Sequence, residues 1–182
     1  MRFALLPALC LIGSVIAAPA NLEQRDDTVA KYHISKILNS LKTLETTVKR
    51  EPRYNDARAT DDFFRSILNQ QVRLTDDLRD GASEIRRGKS INDFEALGIS
   101  TSVMPMENSI RTINNQLVKF KREAERAGKK DAIRRNLIRD QQEGNNFWDA
   151  LNSKLTVLSG AFASQNRQRY NNILDRAIRE YR

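Results

Sequence analysis

Residues 103–127 read VMPMENSIRTINNQLVKFKREAERA. In this stretch Val103, Met106, Ile110, Ile113, Leu117, Phe120 and Ala124 recur at alternating steps of three and four. An α-helix turns about 100° per residue, so this spacing gathers all seven side chains into one stripe; a strand would need an apolar residue at every second position. The opposite face carries Glu107, Arg111, Asn115, Arg122 and Glu125. The segment therefore reads as an amphipathic helix from Val103 to Ala127, with one face to bury against other elements.

Working outward, the same period recurs on both sides. Ser90, with Asp93 three residues later, reads as a capping box for a short helix, Ile91 to Leu97, which Gly98 stops. A further helix is expected from Thr60 or Asp61 as cap to Arg87, with Phe64, Ile67, Leu68, Leu74, Leu78, Ala82 and Ile85 on one side and Gly88 as its stop. The first, from about Thr28 to Lys49 with Asp27 as cap, aligns Ala30, Ile34, Ile37, Leu41, Leu44 and Val48. A polar loop from Pro52 to Ala59 separates these two. Beyond the quoted segment, one helix is expected from Lys129 to Leu158, carrying Ile133, Leu137, Trp148, Leu151 and Leu155. Another starts near Phe162 and carries Tyr170, Ile173, Ala177 and Tyr181.

Seven Gly and four Pro in 182 residues are too few for a turn-rich sandwich or barrel. The expected fold is all-α: a single domain, residues 21–182, built as an antiparallel up-and-down bundle of five long helices plus one short helix.

The N-terminus has a separate fate. Arg2 precedes an apolar run from Phe3 to Ala18 that closes on Ala17, Ala18, Pro19 and Ala20. That run is too short to span a bilayer and ends on small residues, so residues 1–20 read as a secretory signal peptide, cleaved after Ala17 or after Ala20. Its loss removes Arg2 and Cys10 and leaves 30 Lys+Arg against 23 Asp+Glu, a charge of +7. A secreted chain without cysteine must hold itself together by apolar burial alone. No Asn-x-Ser/Thr sequon occurs, and the stretch from Arg176 to Arg182 is charged where a lipid-anchor signal would be hydrophobic. A soluble, unanchored extracellular protein is expected.

One His and one Cys exclude a Cys/His zinc cluster, and any His-dependent triad would have to use His33, which has no acid or nucleophile at a telling spacing. No Walker loop, nucleophile elbow, EF-hand or zincin motif is present. The reading is non-enzymatic, with no cofactor and no metal.

Binding is where the sequence speaks. Gly81 and Gly144 fall on inward stripes inside helices, where glycine costs roughly 1 kcal/mol against alanine. They allow either close helix contact or space along the axis for an apolar ligand. Gln71, Thr75 and Gln141 also fall on inward positions by spacing and need each other, water or a ligand head group such as a carboxylate. Trp148 joins these candidates. Met104 and Met106 read as core filling. Separately, the hairpin 119–140 carries Lys119, Lys121, Arg122, Arg126, Lys129, Lys130, Arg134, Arg135 and Arg139 against Glu123, Glu125, Asp131 and Asp140, an excess of +5. Such a patch suits anionic polymers: nucleic acid, acidic wall polysaccharide or anionic lipid head groups. Nucleic acid is the least expected of these, because no aromatic residues are interleaved for base stacking.

Arg25-Asp26, the Val29, Ile34, Ile37, Leu41, Leu44, Val48 helix, the Phe147, Leu151, Lys154-Leu155 stretch and the closing Ile173, Ala177, Ile178, Tyr181 helix together resemble the fungal hydrophobic surface-binding protein A family, which includes cell-wall galactomannoproteins. The resemblance covers residues 25–182. It implies a secreted helical fold that adsorbs to hydrophobic surfaces, can recruit a polyester-degrading enzyme and in some relatives encloses a fatty acid along the bundle axis; it implies no catalytic residues. The first functional expectation is thus a secreted, extracellular binder of hydrophobic surfaces or fatty-acid-like lipids, with association with the cell wall as a further expectation. The alternatives are an anionic-polymer binder using the 119–140 hairpin and a secreted interaction or effector protein.

Overall fold

The computed structural model describes residues 24–50 and 56–182. The signal-peptide segment 1–20 and the first half of the loop from Pro52 to Ala59 lie outside the described residues. The helices are α1 (Gln24–Val48), α2 (Ala57–Arg87), α3 (Asp93–Lys119), α4 (Lys121–Arg126), α5 (Lys130–Asn152) and α6 (Val157–Glu180). Among the described residues no strand forms; Ile91 and Leu155 make one isolated bridge.

The stripe that opened the sequence is buried throughout, from Val103 at 2% exposure to Leu117 and Ala124 at 0%. So is the stripe of α1, from Ala30 to Val48. The all-α bundle of five long helices and one short one is as the periodicity requires, but the short helix is a different one. Gly98 does not stop a helix: α3 runs unbroken from Asp93 through Gly98 and Pro105. At Gly98 the tip of the Lys31 side chain from α1 lies over the helix backbone, its Nζ 3.0 Å from where a Cβ would stand. The roughly 1 kcal/mol that an interior glycine costs is offset by burial of Ala96, Ile99 and Val103 on the same face. The break falls at Phe120, after which α4 carries the stripe on to Ala124.

Gly128 ends α4 in the left-handed region, at φ 66°. Lys129 N–H donates to Ala124 O at 2.8 Å and Gly128 N–H to Glu125 O at 3.0 Å, the paired bonds of a Schellman cap. Gly88 caps α2 as expected, donating to the Glu84 and Ile85 carbonyls. The start of α2 lies earlier than either expected cap: Asp56 accepts from the Arg58 and Ala59 N–H groups, and Thr60 and Asp61 are inside the helix. Gly160 likewise lies inside α6, where Asn152 Oδ1 crowds it at 2.9 Å from a Cβ position, and α5 stops at Asn152, short of Leu158.

The long helices close into a ring. α1 packs on α2, α2 on α5, α5 on α6, α6 on α3, and α3 back on α1. Cross-helix bonds give the directions. Ser40 meets Asp77 while, further back on α1, His33 lies against Gly81, so α1 and α2 are antiparallel. Asn136 meets Leu68 and Thr75 meets Asp140, so α2 and α5 run parallel. Glu107 meets Arg169 and Leu117 meets Tyr181, so α3 and α6 are parallel too. Long helices successive in the chain alternate in direction, while the ring brings parallel pairs together. The linkers after α2 and α5 meet at one end, where Ile91 N–H donates to Lys154 O at 2.6 Å and Lys154 Nζ to Gly88 O at 2.5 Å.

The α2 cap is directly testable. Replacing Asp56 with Ala orphans the two N–H groups it accepts from and is expected to cost about 1 kcal/mol, read as a shift in the urea midpoint; an unchanged midpoint would show that water serves this helix start equally well.

Candidate functional site

Five helices in a ring leave an axis that no helix occupies. With neighbouring helix axes about 8–10 Å apart, a regular ring of five sets each axis about 7–8.5 Å from the centre, against about 6–7 Å for four. Side chains must fill the difference. Here Leu41, Leu74, Leu78, Met106, Ile110 and Leu174 do so incompletely, leaving an axial cavity of about 30 Å³. Trp148, buried and edge-on to Phe147, forms part of its wall.

Four polar residues interrupt this apolar lining: Gln71, Asn114, Asp140 and Tyr170. Gln71 is 0% exposed and Asn114 5%. Neither amide has a hydrogen-bond partner at its oxygen or its nitrogen. Each such amide costs on the order of 1–3 kcal/mol in a closed protein.

Asp140 is better served. Its Oδ1 lies 2.5 Å from Thr75 Oγ1, which is also 2.9 Å from the Gln71 carbonyl, and Tyr170 donates its hydroxyl to the Asp140 carbonyl at 2.6 Å. Burial pushes the Asp140 carboxyl up from 3.8 to about 7, against the opposing pull of the Thr75 hydrogen bond. Burial also raises Tyr170, with the Asp140 charge adding to it. A hydroxyl has one proton to give. When Asp140 is protonated it donates to Thr75, which donates on to Gln71 O; when Asp140 is ionised, Thr75 turns to it.

The sequence candidates land in different places. Gln71 and Trp148 line the cavity, and Thr75 stands behind it on Asp140. Gly81 and Gly144 border aromatic rings. A Cβ on Gly81 would meet Phe147 at 3.2 Å and His33 at 3.3 Å, and one on Gly144 would lie 2.3 Å from the Tyr170 ring. Of the two roles left open for these glycines, close approach is the one they serve here, and the open volume lies elsewhere on the axis. Gln141 departs from its expected inward position. It is half-buried at the α5–α6 seam, where Nε2 donates to Asp175 Oδ1 at 2.8 Å.

Spacing had more to give. Asn114 lies four after Ile110 and three before Leu117, and Asp140 three after Leu137 and four before Gly144. Asp140 stands in sequence among the charges of the 119–140 hairpin, yet it is 4% exposed and faces the axis.

The basic hairpin is a mixed surface. Lys119, Arg122, Arg126, Arg135 and Arg139 are exposed, while Lys121 and Arg134 are half-buried. Lys129 is tied to Asp61 at 2.8 Å and Lys130 to Glu125 at 3.1 Å. Phe120 is buried, as its place on the stripe requires. His33 is 8% exposed, and burial, with Lys36 nearby, lowers its pKa. Among the described residues no His/Cys/Asp/Glu group is placed to hold a metal, and no helix is long and apolar enough to cross a membrane.

No family model matches the chain. No curated protein matches it either. Solved structures do. AfMp4p in complex with palmitic acid superposes with a TM-score of 0.77 at 13% identity, over 86% of this chain and 99% of that one. Ligand binding domain 1 of the Penicillium marneffei MP1 protein, complexed with arachidonic acids, gives 0.77 at 15% identity over 87% and 99%. Domain 2 of the same protein, complexed with multiple arachidonic acids, gives 0.75 at 14% identity over 85% and 94%. At these identities the likeness shows a shared fold: an all-helical bundle of the MP1 type.

Two expectations follow from the site. Gly144→Ala drives a methyl into Tyr170 and is expected to destabilise by about 1–3 kcal/mol despite its better helix propensity, whereas Gly81→Ala, with contacts only slightly tight, stays within about 1 kcal/mol of the parent; chemical denaturation of both variants checks the contrast. For Asp140 the folded pKa lies above the unfolded one, so the folded state holds the proton more tightly, and the stability this gives below pH 4 is lost as pH rises toward 7. Asp140→Asn should therefore gain on the parent between pH 4 and pH 8, by on the order of 4 kcal/mol at most, measured as the difference in unfolding free energy at the two pH values.

Proposed function

We propose that this protein binds a fatty-acid-like, single-chain lipid without catalysing a reaction, the acyl chain lying along the axis of the five-helix ring. One observation carries the reading: two buried amides, Gln71 and Asn114, face a mostly apolar axial cavity with no partner of their own, beside the mutually bonded Asp140 and Tyr170. A dry core gains nothing from them. A lipid's polar head group supplies the kind of partner such amides lack, and its hydrocarbon tail suits the mostly aliphatic remainder. The fold shared with structures that hold palmitic and arachidonic acids supports the same ligand class.

At about 30 Å³ the cavity is far below the roughly 300 Å³ and more of ordinary ligand pockets, so an acyl chain enters as the ring widens. Free energy for widening comes from the apolar area that the chain removes from water, about 0.8 kcal/mol per methylene.

In this reading the chain is secreted, with residues 1–20 as its signal peptide, and acts extracellularly. Kinship with the hydrophobic surface-binding protein A family, association with the cell wall and recruitment of a polyester-degrading enzyme belong to the same proposal, on the strength of the sequence resemblance. Adsorption to a flat apolar surface would use Leu97 and Met104, exposed and two turns apart on α3. The hairpin favours an anionic polymer less, since Lys129 and Lys130 are already paired with acids.

The test pairs stability with affinity. Gln71→Leu removes an unpartnered amide, so the free protein should become more stable by about 1–2 kcal/mol while palmitate, followed by isothermal titration or native mass spectrometry, binds about tenfold more weakly. A stabilised variant that binds palmitate as tightly as the parent would show that the amide is no part of a lipid site.

A further inference from the structure

Asn114 lines a second hollow as well as the axial cavity. Between α3 and α6 lies a groove of about 290 Å³ whose rim carries Arg111, Arg169 and Arg176 and whose floor includes Val118, Ile173 and Ala177. Three arginines therefore line a cleft that also borders the buried, unpartnered amide of Asn114. Against them stands one acid: Glu107 pairs with Arg111 at 2.8 Å and with Arg169 at 3.5 Å. Arg176 makes no ion pair with any described residue. Its chain neighbour Asp175 is turned away, accepting from Gln141 on α5.

We propose that this α3–α6 groove seats the carboxylate of the bound lipid, with the hydrocarbon chain passing Asn114 into the axial cavity. The proposal rests on the lipid-binding reading above and adds where the charge goes. A guanidinium fork matches a carboxylate in shape and in number of donors, and Arg keeps its charge at any working pH. The groove is open to solvent, so the carboxylate loses only part of its hydration there. Asn114 then bridges the two spaces, its amide nitrogen donating to the head group from the inner side.

The experiment compares palmitate with its uncharged methyl ester, in the parent, in Arg176→Gln and in the triple variant Arg111→Gln, Arg169→Gln, Arg176→Gln. The parent should prefer palmitate by about tenfold or more, and the preference should fall with rising salt. In the triple variant the preference should shrink to within about threefold and lose its salt dependence, while the ester binds as before. All three arginines are exposed and their ion pairs contribute little to folding, so the variant should keep its helical circular dichroism. Should it nonetheless unfold, Arg176→Gln decides alone, with an expected loss of about threefold in the preference. Retention of the parent's preference in these variants overturns the groove and leaves the axial site standing. Failure of the parent to bind either compound overturns both.

Discussion

Closure of five helices into a ring is the constraint from which the rest of this structure follows. Each long helix spends its apolar stripe partly on two neighbours and partly on a shared axis that none of them reaches. In a four-helix bundle opposing stripes interdigitate across the centre; in a five-membered ring they meet over a gap that only large side chains fill. Phe147 and Tyr170 fill it at the levels of Gly81 and Gly144, and those glycines exist to let the rings in. The cavity that remains has these rings, Trp148 and a majority of leucine, isoleucine and methionine side chains in its wall.

Polar residues on that axis are set in two unequal states. Asp140, Thr75 and Tyr170 form a connected network in which each hydroxyl and the carboxyl has a counterpart. Such a network holds α2, α5 and α6 in register at one level, since its bonds run from α2 to α5 and from α6 to α5. Gln71 and Asn114 have no such arrangement, although Gln71 lies one turn from Thr75. The same core gives the Asp140 carboxyl a hydroxyl partner and leaves both amides of the cavity wall without one. In the proposed function those amides meet a partner that arrives from outside.

The fold was legible because periodicity reports burial. Every residue of the α1 stripe and of the 103–124 stripe is buried, including Phe120 in the midst of a lysine-rich run. Helix ends were less legible where a glycine serves packing. Gly98 reads as a stop and is instead, like Gly160, a place where a side chain of another helix, Lys31 or Asn152, comes close. Gly88 reads the same way and is a true cap, as is Gly128. Local sequence does not separate these cases, since a glycine missing its Cβ for a neighbour's sake looks like one missing it for a turn. The site was half legible for a related reason. Gln71 stood out against apolar neighbours, whereas Asn114 sat among Asn115 and Gln116 and Asp140 beside Arg139, where polar company hid their inward placement.

Asp140 also bears on where an anionic ligand can rest. Burial alone has already brought its carboxyl to about 7. A second carboxylate placed on the same axis would face the same loss of hydration and, above neutrality, the repulsion of a like charge in a medium that screens it poorly. At the α3–α6 rim neither penalty applies in full: water reaches the groove, and Arg111, Arg169 and Arg176 outnumber Glu107 there. An apolar tail meets the reverse conditions, since the axis is lined mostly by leucine, isoleucine and aromatic side chains. In the proposed complex the two ends of a fatty acid would thus be sorted by the two spaces that Asn114 lines.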